Sequence, residues 1–169
     1  DALPESERVE ASARATARLK PFIRAGETVS LFWPMRSEID PRSLIADVFS
    51  AGGAIAMPVI ENRRMFFRAF DGEESLEAGV FGTRHRHAGM PTIDPDFIVA
   101  PLAAFDRDGG RIGYGAGHYD AAIASLVAST GAVRRFWSMI RCWKLPAIFW
   151  SCARLCQCAV AMTRRSGSV

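Results

Sequence analysis

Residues 101–120 read PLAAFDRDGGRIGYGAGHYD and set five glycines (109, 110, 113, 115 and 117) within nine positions. A continuous apolar run, FIVA at 97–100, precedes them, and an Ala-, Ile- and Leu-rich run, 121–128, follows. Strand, glycine loop, helix is the arrangement that turns backbone N–H groups and a helix N-terminus toward a phosphate. Glycine suits such a loop because a chain without side chains can fold around an anion with its amides inward. Arg111 lies inside the loop and adds a planar cationic fork. Asp120 closes it with a carboxylate suited to Mg²⁺ held jointly with phosphate. The generic nucleotide fingerprints are absent: there is no G-x-x-x-x-G-K-[ST], and G-x-G-x-G is not G-x-G-x-x-G. The glycines taken alone fit a glycine-rich hairpin around Asp108-Gly109, with a second turn after it, equally well.

The rest of the chain supplies an α/β frame. Residues 5–23 carry apolar positions at helical spacing, with Gly26 beyond the end. Residues 28–33 read as a strand, and 41–51 as a helix starting at Pro41 and stopped by Gly52-Gly53. Residues 54–59 read as a second strand, 64–70 as a third near an edge, and 97–100 as a central strand. Residues 71–86 are polar and irregular, with a turn of helix expected at 73–77. This βαβ order predicts an α/β fold: a mostly parallel sheet flanked by helices, three-layered and Rossmann-like.

The full string PLxxFDxxGxRxGYGxGxYD resembles the signature of the 5-formyltetrahydrofolate cyclo-ligase (methenyltetrahydrofolate synthetase) family. His118 stands where members carry Tyr or Phe. Residues 28–40, TVSLFWPMRSEID, resemble that family's first strand and the loop ending in a folate-binding glutamate, here Glu38. Residues 57–59 resemble its second strand, and 79–82 the loop before its central strand. The resemblance implies ATP-dependent conversion of 5-formyltetrahydrofolate to 5,10-methenyltetrahydrofolate, with Mg²⁺ on Asp120. It implies ATP contacts along Arg111, Ile112, Gly113, Tyr114, Gly115, Ala116, Gly117, His118 and Tyr119, with Arg111 and Tyr119 catalytic. Glu38 and Trp33 would hold the folate, Trp33 and Met35 walling the pterin. The alternative is a degenerate, non-catalytic member that binds folate or nucleotide.

Other candidates have plainer readings. His85 and His87 fit a solvated basic loop better than a metal pair. His118 either donates to a phosphate or packs as an aromatic ring would. Asp106 and Asp108 suit turn chemistry.

The chain's 169 residues suit one domain, and its net charge of +3 conceals a split. Residues 1–120 hold 14 basic and 18 acidic side chains, and residues 121–169 hold 7 basic and none acidic. All four cysteines and three of four tryptophans fall in the last 33 residues. The expected division is therefore a cyclo-ligase-like domain at 1–130 and an atypical basic tail at 131–169, read as a non-native frame. That tail is expected to be helical or poorly ordered and to leave the sheet incomplete. Lacking the family's basic opening helix and second acidic metal ligand, the chain is expected to be nearly inactive. The cysteine spacing C-x9-C-x3-C-x-C lacks the paired C-x2-C of zinc modules. The apolar tract at 145–162 is interrupted by Pro146 and Arg154, short of a membrane span. A cytoplasmic monomer acting on small molecules is expected, with neither nucleic-acid nor membrane partners.

Overall fold

The structure, a computed structural model, describes residues 4–72, 76–78, 84–86, 90–105, 111–113, 115–130 and 135–140. Helix α1 (Glu5–Leu19) opens after Pro4 with Glu5 and Glu7 in its first turn and Arg18 in its last, charges that complement the helix dipole. A 3₁₀ turn (Lys20–Phe22) ends it. Strand β1 (Thr28–Ser30) leads through a long loop to helix α2 (Leu44–Ser50). Strands β2 (Ala54–Glu61) and β3 (Arg64–Phe70) follow as an antiparallel pair. Two short strands, β4 (Leu76–Ala78) and β5 (Arg84–Arg86), pair with each other. Then come β6 (Phe97–Leu102), a hairpin of β7 (Ala104–Phe105) and β8 (Arg111–Ile112), helix α3 (His118–Thr130) and β9 (Arg135–Ile140).

The main sheet has five strands in the order β3-β2-β1-β6-β9. Strands β2, β1, β6 and β9 run parallel, and β3 is antiparallel at one edge. Alternation along the strands divides the core. Val29, Leu31, Ile55, Met57, Phe97 and Val99 pack with Ala11 and Leu19 of α1 and Leu44 and Val48 of α2. Ala56, Ile98 and Ala100 face the other way, with Ala122 and Leu126 of α3 and Phe67 of β3. Helices thus cover both faces, the three-layer α/β architecture the sequence predicts. The outer edge of β3 is closed by residues 91–93. Ala69 N–H donates to Pro91 O at 3.1 Å, and Ile93 N–H to Phe67 O at 2.9 Å. Arg68 reinforces this by donating to Met90 O and to Glu61 at 2.7 Å.

Several boundaries differ from the sequence reading. The first strand stops at Ser30, although Leu31 N–H still donates to Ala56 O at 3.1 Å. The chain must then leave the sheet to form the turn at 35–38. The second helix begins at Leu44, whose N–H donates to Pro41 O at 3.0 Å; residues 41–43 are a turn. Residues 76–78 are a strand where a turn of helix was expected, because pairing with β5 overrides a weak local preference. Strand β6 is interior, paired with β1 on one side and β9 on the other, as expected of 97–100.

The largest correction concerns the tail. Residues 135–140 pair in parallel with all of β6, from Phe97↔Arg135 to Leu102↔Ile140. They extend the sheet that the tail was expected to leave incomplete. The run RFWSMI lacks apolar–polar alternation, which a strand of a parallel sheet need not show. Residues 135–140 thus belong to the same sheet as β1, β2, β3 and β6. Residues 79–82, His87, Asp106, Asp108 and 141–169 lie outside the described residues.

Candidate active site

The chain runs outward from β1 to β2, then crosses back to place β6 on the other side of β1. The strand order reverses between β1 and β6, and in open α/β sheets ligands bind beyond the C-terminal ends of strands at such a point. Two segments leave the sheet there. One is the loop after β1, which carries Trp33 and Glu38. The other follows β6 and carries the hairpin, the glycine turn and the start of α3.

Glu38 is only 2% exposed. Its carboxylate accepts from Met35 N–H at 2.8 Å, and its own N–H donates to Met35 O at 3.0 Å, closing a tight turn. Burying a carboxylate is costly unless donors meet it, so the turn is built around this group. Trp33 is half-buried against the core. Arg42 lies over its ring, 4.8 Å from the centroid, a cation–π contact. Asp40 holds that guanidinium, accepting from Arg42 Nη2 at 2.6 Å and from Nε at 2.9 Å.

Burial works to raise the Asp40 carboxyl. Hydrogen bonds from the Arg42 side chain and backbone, with the charges of Arg42 and Arg8, outweigh it and hold the group below the usual carboxylate range. The folded protein thus binds this proton more weakly than the unfolded chain. The stability it contributes is complete above the unfolded value of about 3.9 and is lost as pH falls through the lower folded value. Asp40→Asn should accordingly flatten the acid limb of a stability–pH profile below about pH 4, measured by urea unfolding. An unchanged acid limb would contradict this.

From the opposite side, α3 presents His118, Tyr119 and Asp120 in its first turn. The Tyr119 ring is half-buried among Ala56, Ile98 and their neighbours. Burial first, and the charge of Glu38 second, push its hydroxyl above the usual tyrosine range. The phenol therefore stays protonated, a donor at neutral pH, and lies close enough to Glu38 to feel its charge. Two residues 81 apart in sequence, each singled out by reading alone, come within electrostatic range of each other.

The glycine string divides in two. Gly109 and Gly110 lie outside the described residues, while β7 and β8 on either side of them pair antiparallel. Arg111 and Ile112 form β8. Gly113, Gly115 and Gly117 then lead into α3, with φ of +91° at Gly115 and +65° at Gly117. A Cβ at either position would meet no atom within 4 Å, so backbone conformation and not crowding selects glycine. All three are exposed, as is Ala116, and the first amides of α3 have no intrahelical acceptor. Tyr114 lies outside the described residues, and His85 lies within β5.

Asp120 is exposed in the first turn of α3. Among the described residues no three His, Cys, Asp or Glu side chains gather to hold a metal. The donor set fits a hard cation arriving with phosphate oxygens and water, not a protein cage. Sequence reasoning missed Ser30, whose buried Oγ has no hydrogen-bond partner among the described residues. It sits on β1 level with Ala56 and Ile98, and by alternation on the α3 face. A lone serine in an apolar strand gives no signal of this in the sequence. No helix among the described residues is long and apolar enough to cross a membrane.

These features define a doubly wound α/β protein whose candidate site lies at the strand-order reversal. The chain belongs to the 5-formyltetrahydrofolate cyclo-ligase family, which it matches over residues 2–137. The match runs through the first half of β9. A 5-formyltetrahydrofolate cyclo-ligase of Escherichia coli K12 is 26% identical over 128 residues, 70% of each chain. One of Haemophilus influenzae is 24% identical over 104 residues, 57% of this chain, and the match spans 56% of that relative's length. The NMR structure of Aquifex aeolicus 5,10-methenyltetrahydrofolate synthetase superposes with a TM-score of 0.62 at 25% identity, covering 88% of this chain and 77% of that one. A Mycoplasma pneumoniae 5,10-methenyltetrahydrofolate synthetase shares the fold with a TM-score of 0.58 at 18% identity, covering 76% of this chain and 72% of that one.

Proposed function

We propose that this chain closes 5-formyltetrahydrofolate to 5,10-methenyltetrahydrofolate at the expense of ATP. The observation that carries the reading is a buried Glu38 on the loop after β1 and a positive-φ glycine turn that opens α3 after β6, both at the strand-order reversal. Family membership supports the substrate class.

A formamide oxygen is a poor leaving group, which explains the need for ATP. Attack of the formyl oxygen on the γ-phosphorus releases ADP and leaves an activated imidate phosphate. N10 of the folate then adds to that carbon, phosphate departs with the former formyl oxygen, and N10 loses its proton. Such chemistry needs positioning and charge neutralisation more than a protein nucleophile. Glu38 accepts pterin N–H donors, and Trp33 covers an apolar face. The glycine turn and α3 amides, residues 113–119, receive phosphate oxygens, and Arg111 neutralises them. Tyr119 keeps its proton and donates at the crevice floor. Mg²⁺, held by Asp120 with the phosphates, would neutralise charge as the γ-phosphoryl group transfers.

The test is ATP-dependent appearance of the methenyl product from 5-formyltetrahydrofolate, with Arg111→Ala as the probe. The variant should raise the KM for ATP about tenfold, the equivalent of roughly 1.4 kcal/mol, and change the KM for the folate far less. An unchanged KM for ATP would remove Arg111 from the nucleotide site. Folate binding without turnover would favour a non-catalytic member of the family.

A further inference from the structure

We propose that Arg36, supported by Arg8 and Arg42, is a binding site for the carboxylates of the folate's glutamate tail; this rests on the reading above. Arg36 is exposed on the turn that holds Glu38, with φ of +50°. A left-handed position favours glycine or asparagine, so the backbone of this turn does not select arginine. Among the described residues no acceptor meets its guanidinium.

Two further arginines stand at the same loop. Arg8 of α1 donates from Nη1 to Arg36 O at 3.3 Å. Arg42 is fixed over Trp33 by Asp40. Helix and loop are joined again where Ser12 Oγ accepts from Asp40 N–H at 3.0 Å while donating to Arg8 O at 2.7 Å. Arg8 and Arg42 therefore hold fixed places beside the turn that carries Arg36.

Of the three, Arg36 is the one with no carboxylate partner among the described residues. Asp40 is engaged by Arg42, Glu38 points inward to Met35 N–H, and Glu5 is 3.9 Å from Arg8 with its side chain 85% exposed. One turn thus offers a buried carboxylate inward and a guanidinium outward, two residues apart. A folate has the complementary polarity, with N–H donors on its pterin and carboxylates at its far end. The same cations could instead receive nucleotide phosphate, so the test separates the two anions.

Calorimetry on the full chain at low salt would compare 5-formyltetrahydropteroate, which lacks the tail, with 5-formyltetrahydrofolate and its triglutamate. Wild type should favour the tailed ligands. Arg36→Gly, which relieves the positive φ, should cut that preference on the order of fivefold, the scale of an exposed ion pair. Arg36→Lys should restore most of it, and added salt should shrink it in wild type. An unchanged preference in Arg36→Gly, with all three ligands still bound, overturns the tail site alone. Weaker ATP binding in Arg36→Gly with the preference intact assigns the cations to phosphate and overturns it too. Failure of all three ligands to bind wild type overturns the folate reading and the tail site together.

Discussion

Glu38→Gln should weaken binding of 5-formyltetrahydrofolate by roughly 1.5–3 kcal/mol, the worth of a hydrogen bond to a charged group, and should leave ATP affinity nearly unchanged. Glutamine nearly matches glutamate in shape. Its amide oxygen can still accept the Met35 N–H that the carboxylate accepts at 2.8 Å. The turn at 35–38 therefore persists, and lost affinity reports lost charge, not a lost fold. The substitution also removes the anion that helps to keep Tyr119 protonated, but burial remains the larger cause of that shift. The phenol stays a donor. Titration of the folate against both proteins, with thermal unfolding as the control for folding, checks the result. Equal folate affinity in a well-folded variant would remove Glu38 from the pterin site.

Glu38 and the start of α3 were legible because their chemistry is local. A glutamate after an apolar strand, and glycines before an Ala-rich helix, can each be read within a few residues. That both fall at one end of the sheet could not be read, because it follows from the reversal of strand order that sets β6 beside β1. The Arg8–Arg36 contact spans 28 residues and needs α1 to lie against the loop. Ser30 needed the alternation of β1 to be placed among Ala56, Ile98 and the α3 face. The expectation that residues 135–140 stay out of the sheet failed for a different reason. Composition changes abruptly near residue 131, but strand formation at 135–140 depends on an open edge of β6, which composition does not report.

The pair Gly52-Gly53 marks a helix stop in the sequence without saying what each glycine is for. Gly52 has φ of +73° and open space about its missing Cβ. Gly53 lies where a Cβ would fall 2.5 Å from Glu27 O and 2.9 Å from Val48 Cγ1. Neither neighbour can retreat cheaply. Glu27 O accepts from Ala54 N–H at 3.1 Å, and Val48 O accepts from Gly53 N–H at 2.9 Å. These bonds tie the exit of α2 to the entries of β1 and β2, so movement at Gly53 disturbs the parallel register Thr28↔Ala54. Gly53→Ala should therefore cost about 1–3 kcal/mol, in the range of an overpacked core. Gly52→Ala should cost about 1 kcal/mol from its backbone conformation alone, and Gly52→Asn less, since asparagine tolerates the left-handed region. The same junction fixes the start of the strand from which the Glu38 loop departs. Gly53→Ala should thus lower the temperature at which folate binding is lost, while affinity well below that temperature stays near wild type. Urea unfolding of the three variants supplies the ranking, and a Gly53→Ala protein as stable as wild type would show that the close approach does not select glycine there.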